Sequence, residues 1–194
     1  MLIYLIRHGQ TSWNAEARLQ GQKDIPLNET GCAQATGNGL ALGRLIGDRV
    51  GTFDFVSSPL TRTRQTMERI RVAMGLPAEG YRTDDRLKEV SFGDWEGSTM
   101  EELVIANPER VRERESAKWD FIPPGEDAES YEILSWRVGS WLQSVTQPTV
   151  CVAHGGIIRT VFKLTGAMTK DAAAMAEMHQ DRILEINGDS VRWI

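Results

Sequence analysis

Met1 to Ile6 is a short apolar run of strand length that stops abruptly at Arg7-His8-Gly9. Two further runs read the same way: Phe53 to Ser57, and Thr149 to Ala153 followed by His154-Gly155-Gly156. After the first run comes a polar loop, Gln10 to Pro26, and then a helix whose cap is either Asn28 or Thr30. Leu40, Leu45 and Ile46 form the expected apolar face of that helix, and Gly47 to Gly51 end it. Pro59 occupies the expected first helical position of a helix running to about Ala73. Tyr81 to Glu89 reads as extended. Ser130 to Val145 reads as a helix, a further helix starts at Ile157, and Ile183 to Ile194 form a closing hairpin turned at Asn187-Gly188.

Strands alternating with helices predict an α/β fold, a three-layer sandwich. Its central sheet is mostly parallel with helices on both faces, and the final hairpin offers an antiparallel edge strand. Residues 1–194 read as a single domain, with a cap or specificity segment around 90–130. Within it, residues 98 to 120 are helical and heavily charged. Two readings stay open there: a solvated helical face, or a cap whose arginines select acidic substrates.

The 194 residues are 41% hydrophobic and 25% charged, the balance of an ordinary globular protein. A net charge of −5 argues against bulk electrostatic binding to nucleic acid or an acidic membrane, but does not forbid a locally cationic pocket. Cys32 and Cys151 stand alone, without metal-ligand spacing, as expected of reduced thiols in a cytoplasmic protein. No apolar stretch approaches the roughly 20 residues of a membrane span, and no signal-like start is present. The oligomeric state is left open, a homodimer included.

Two of the three histidines, His8 and His154, sit just past apolar strands and before glycine, so both should emerge at one sheet edge. Ligands in open α/β sheets bind beyond the carboxyl ends of strands. Arg7 accompanies His8, and Arg62 lies in the first turn of the helix after the second strand, where free N–H groups favour anions.

The order and spacing of several motifs resemble the histidine phosphatase superfamily, which includes the cofactor-dependent phosphoglycerate mutases. These are Arg7-His8-Gly9-Gln10-Thr11 with Asn14, Gln20-Gly21, and Ser58-Pro59-Leu60 with Arg62 and Thr66. Glu89 with Trp95-Glu96-Gly97, and Ala153-His154-Gly155-Gly156, complete the set. The resemblance implies that His8 is the nucleophile and forms a phosphohistidine. Arg7, Arg62 and His154 would grip the phosphoryl oxygens, and Asn14 would add a neutral donor. Gln20, Gly21 and Gly155 would complete the phosphate or substrate contacts. Attack requires an unprotonated ring nitrogen, which nearby arginines favour, and the other nitrogen should donate to a backbone carbonyl.

Glu89 is implied as the acid and base, with Asp84, Asp85 and Glu96 competing for that role; burial or the phosphate's charge would favour its protonated form. His179 matches no catalytic position. Trp13, Trp95, Trp119 and Trp136 read as packing residues. No carboxylate cluster suggests Mg²⁺, so neither a metal nor a cofactor is expected.

The departures matter. Glycolytic mutases follow the acid with Arg-His-Tyr, whereas this chain has Val90-Ser91-Phe92. Losing those cations favours release and attack by water. The expected function is therefore metal-independent hydrolysis of a small phosphorylated metabolite. The alternatives are a phosphoglycerate mutase and a catalytically idle phospholigand-binding protein.

Overall fold

The computed structural model describes every residue except Asp189, which adjoins the hairpin turn expected at Asn187-Gly188. Six strands form one sheet: β1 (Leu2–Arg7), β2 (Asp54–Ser57), β3 (Arg82–Thr83), β4 (Thr149–Ala153), β5 (Ile183–Asn187) and β6 (Ser190–Trp193). Their order is β3-β2-β4-β1-β5-β6. The first four in that order run parallel, and β5 and β6 add the antiparallel edge.

Side chains alternate along each strand, so the sheet has two apolar faces. Ile3, Leu5, Val56 and Cys151 point into one core, and Tyr4, Ile6, Phe55 and Val152 into the other. The first is covered by α6 (Tyr131–Ser144) and α7 (Gly155–Leu164), the second by α2 (Glu29–Ile46) and α3 (Thr61–Ala73). These three layers are the predicted architecture.

One open alternative is decided and four local expectations change. Asn28, not Thr30, caps α2, accepting from Gly31 N at 2.9 Å. The buried stripe of α2 is Ala35, Asn38, Gly39, Leu42 and Ile46. Leu40 and Leu45 are 50% and 39% exposed, because neither falls on the 3.6-residue repeat that Ala35, Leu42 and Ile46 share. Gly39 sits against Ile70 and Ala73 of α3, where a Cβ would come within 2.7 Å of Ile70 O.

Pro59 precedes α3 rather than opening it. Leu60 stays extended, and the Asp24 carboxylate accepts from Thr61 N and Thr61 Oγ1, both at 2.7 Å. The extended segment shrinks to β3, because Asp84 caps a tight 3₁₀ turn over Asp85–Leu87. Residues 98 to 120 break at Asn107-Pro108 into α4 (Met100–Ala106) and α5 (Pro108–Ser116), since proline supplies no N–H to the preceding turn.

Short helices α1 (Ser12–Ala15) and α8 (Lys170–Met175) were not anticipated. Trp95, Leu103 and Val111 form a separate small core beneath α4 and α5. Trp95 and Trp119 are buried, but Trp136 is 67% exposed on α6 and is no packing residue. Among the described residues, no helix is long and apolar enough to cross a membrane.

Candidate active site

The register of β1 on β4 pairs Arg7 with Ala153, so both strands end level. His8 N then donates to Ala153 O at 3.0 Å, and the His8 and His154 rings meet edge to face with centroids 5.2 Å apart. Two histidines separated by 146 positions (154 − 8) are thus neighbours because their strands are neighbours. They lie beside a cavity of about 200 Å³ at the carboxyl edge of the sheet.

His8 Nδ1 donates to Gly9 O at 2.7 Å, which leaves Nε2 as the lone-pair nitrogen. Burial first, then the Arg62 and Arg7 charges, hold its pKa well below the usual imidazole value. The sequence pointed to the guanidinium groups; burial is the larger cause. His154 is also held well below that value, by burial and then Arg62. Its Nε2 bonds Ser58 Oγ at 2.8 Å, while Nδ1 is buried without a partner among the described residues. Unlike His8, His154 stands behind the cavity lining.

Arg7 and Arg62 both line the cavity, each anchored by backbone carbonyls rather than by carboxylates. Arg7 donates to Met178 O at 2.8 Å, and Arg62 to Lys23 O and Gly21 O at 2.7 Å each. The Nε atoms of both are buried and unpartnered among the described residues. Burial brings the Arg7 pKa down to about 10, and lowers that of Arg62 as well.

Asn14 lines the cavity; its Oδ1 accepts from Thr11 N at 3.2 Å and Gln180 Nε2 at 3.1 Å, which leaves the amide nitrogen as its spare donor. Gln20 lines it too, with a buried Oε1 that has no partner among the described residues. Gly21 adopts φ 51°, and a Cβ there would strike the Glu96 carboxylate.

Glu89 lines the cavity and receives hydrogen bonds from Val90 N (2.9 Å) and from Gly156 N (3.1 Å to each oxygen). Helix α7 starts at Gly155, two residues before the predicted Ile157, so Gly156 N is one of the free amides of its first turn. A Cβ on Gly156 would fall 2.2 Å from Glu89 Oε1, which explains the glycine. The three competing acids are committed elsewhere. Glu96 Oε1 accepts from Gln22 N and Phe92 N; Asp84 pairs with Arg86 and Arg82, and Asp85 with Lys88.

All nine sequence-predicted residues therefore converge: eight line the cavity, and His154 backs it. Sequence reasoning missed several others. Ser58 bonds His154. Gln180 Nε2 donates to His8 O at 3.0 Å. Arg137 on α6 donates to the carbonyls of Arg86, Lys88 and Glu89 at 2.8, 2.5 and 2.9 Å and pairs with Glu129 at 2.8 Å. Arg159 adds a cation to the lining, beside Arg114 and Lys118 of the charged segment already singled out. The only signal for Arg159 was one charge in the apolar stretch Ile157 to Phe162.

A profile described as histidine phosphatase superfamily (branch 1) matches residues 3–193. The chain belongs to that superfamily. This histidine phosphatase is 34% identical over 168 residues to the glucosyl-3-phosphoglycerate phosphatase of Mycobacterium tuberculosis, covering 80% of this chain and 71% of that one. A probable phosphoglycerate mutase, GpmB, of Yersinia pestis is 41% identical over only 105 residues, 53% of this chain and 44% of the relative. Among solved structures, a mutant phosphoserine phosphatase from Entamoeba histolytica in complex with phosphoserine superposes with a TM-score of 0.77. It is 25% identical and covers 99% of this chain and 94% of that one.

Proposed function

We propose that this histidine phosphatase hydrolyses a small phosphorylated metabolite through a phosphohistidine on His8. The observation that carries it is a neutral imidazole whose tautomer is set by Gly9 O, beside two guanidinium groups whose buried Nε donors have no protein partner among the described residues.

His8 Nε2 attacks phosphorus in line with the ester oxygen. The Nε2–P bond forms, the P–O bond breaks, and the protonated Glu89 carboxyl gives its proton to the leaving oxygen. Glu89 then takes a proton from water, whose oxygen attacks phosphorus, breaking the Nε2–P bond and releasing phosphate. Such acid–base help is worth about 10²–10⁴ in rate. Arg7, Arg62 and the Asn14 amide hold the phosphoryl oxygens, and the α7 N-terminus, with Gly155, adds its partial positive charge. Ser58 Oγ–H donates to His154 Nε2, which leaves the Nδ1 proton for the same oxygens. The charge stabilisation comes from guanidinium and imidazole groups, so turnover should survive metal chelators.

Brief incubation with a radiolabelled phosphomonoester should place acid-labile, alkali-stable phosphate on the wild type and none on His8→Ala. Equal labelling of the two proteins, or none of the wild type across a substrate panel, sinks the reading. Turnover of a simple aryl phosphate excludes an idle phospholigand-binding protein.

A mutase reading has one observation in its favour. Val90 is buried and supplies no cation, yet Arg114, Lys118 and Arg159 bring positive charge to the cavity from other elements. Comparing isomer formation with phosphate release, with and without a bisphosphorylated primer, separates the two. Release of phosphate dominates under the reading adopted here. We extend that reading to a cytoplasmic protein in which residues 90–130 form the specificity segment of one 1–194 domain.

A further inference from the structure

Among the described residues, six cations line the cavity and Glu89 is the only carboxylate there. Arg7 and Arg62 serve the phosphate end, and Arg18 is neutralised by Glu16 and Glu102. The other three remain: Arg114 on α5, Lys118 in the turn after it, and Arg159 on α7. None of them has an acidic partner within ion-pair distance among the described residues. The guanidinium of Arg159 is pinned by Ala174 O at 3.2 Å and Ala176 O at 2.8 Å. Its Nη1 then lies over Gly155, 3.3 Å from where a Cβ would stand. The Lys118 ammonium meets only the Met175 sulfur, at 3.8 Å.

Three like charges held together in partial burial repel one another. The effect registers on the groups themselves. Burial, Arg159 and Arg114 bring the Lys118 pKa down to about 8, and Arg114 is lowered by burial and Arg159. A solvated basic face would leave these charges apart and in water. Here α5, the turn after it and α7 bring them to the lining of the cavity that also holds His8.

We infer that Arg114, Lys118 and Arg159 form a second anion subsite, so that the preferred substrate is a phosphomonoester whose leaving group itself carries an acid. The inference rests on the phosphatase reading for the scissile phosphate. At about 200 Å³, the cavity is smaller than the roughly 300–1,000 Å³ of drug-sized ligand pockets, which favours a compact metabolite over a nucleotide. The second acid is a carboxylate or a second phosphate.

The test uses n-alkyl phosphates of one chain length ending in methyl, carboxylate or phosphate, together with their uncleavable phosphonates. In the wild type, kcat/KM for at least one acid-ended ester should exceed that of the methyl-ended one about tenfold or more. The better of the two names the second acid. Arg114→Met and Lys118→Met should each shrink that preference to about threefold or less, whereas Lys118→Arg should retain it. The phosphonates, titrated by calorimetry, should show the same ordering in Kd.

Absence of any preference in the wild type, or a preference that survives both methionine variants, overturns the subsite. Discrimination among phosphonates without cleavage of any ester overturns the phosphatase reading and leaves the subsite standing. Cleavage without discrimination does the reverse.

Discussion

Arg137→Met tests how Glu89 is held. Arg137 bonds three carbonyls, those of Arg86, Lys88 and Glu89, and forks onto Glu129 through Nε (3.1 Å) and Nη2 (2.8 Å). The two side chains are 21% and 17% exposed, so the pair is mostly but not wholly desolvated. Removing one partner of a fully buried pair costs about 3–5 kcal/mol. Water can reach part of this one, and methionine keeps the packing of the stem, so about 3 kcal/mol is the expected loss. At about 2–4 °C per kcal/mol for a chain this long, Tm should fall about 6–12 °C.

The catalytic effect is separable from the structural one. Glu89 O keeps one donor, Gln22 Nε2 at 3.1 Å, but loses Arg137, so the carboxyl drifts from the ester oxygen. An alkyl leaving group needs that proton, whereas p-nitrophenolate leaves without it. In the folded variant, kcat/KM, which reports only the steps through loss of the leaving group, should drop about 10–100-fold for an alkyl phosphate and about threefold at most for p-nitrophenyl phosphate. Arg137→Lys, which keeps one cation but not the fork, should fall between. Equal losses for both leaving groups would refute Arg137 as a positioning residue, and an unchanged Tm would refute the energetic reasoning.

Three further outcomes follow from the same geometry. His8 and His154 are both held well below the ordinary imidazole pKa, so the native state binds fewer protons than the unfolded chain below about pH 6.5. Stability is therefore full above that pH and falls as pH drops beneath it, by up to about 1.4 kcal/mol per pH unit per imidazole. Denaturant unfolding between about pH 6.5 and 5 should show this slope, and His8→Gln should roughly halve it; an unaltered slope counts against the buried neutral ring. Gly156→Ala drives a Cβ to 2.2 Å from Glu89 Oε1 and should lower kcat for alkyl phosphates about 100-fold. Gly37→Ala, exposed within α2 with nothing within 4 Å, should instead stabilise the protein by about 0.5–1 kcal/mol and spare activity.

The layered fold was legible because the apolar runs ending at Ile6, Ser57 and Ala153 carry the period of buried strands. Two of them deliver histidine and glycine at their ends. What the pattern could not supply was which helical residues face inward. Leu40 and Leu45 are as apolar as Leu42, so apolarity alone does not choose the stripe; the 3.6-residue repeat through Ala35, Leu42 and Ile46, with Gly39 against Ile70 and Ala73 of the partner helix, does. Arg137 was invisible for a related reason. Its partners are carbonyls near position 88, some fifty residues away, and backbone carbonyls leave no signature in sequence. Arg114 and Lys118 belong to a charged segment that the sequence leaves open between a solvated face and a cap selecting acidic substrates; the break at Asn107-Pro108 and the turn after α5 bring these two to the cavity.

The unpaired polar atoms explain what the fold tolerates for this site. Six buried side-chain nitrogens or oxygens lack partners among the described residues, and four of them belong to Arg7, Gln20, Arg62 and His154. An unsatisfied buried polar group is costly, so these four atoms mark bonding capacity that the fold keeps open at the site. The remaining two are indole nitrogens of Trp95 and Trp141, on rings whose apolar area more than offsets them. The site residues have no such offset. Arg62 is fully buried without a carboxylate, anchored only by the carbonyls of Gly21 and Lys23. A carboxylate there would satisfy the guanidinium and stabilise the fold, but it would also neutralise the charge that a phosphoryl group in transfer requires. Donors held in place and left unpaired need no reorganisation when that charge develops, which is the condition for electrostatic catalysis.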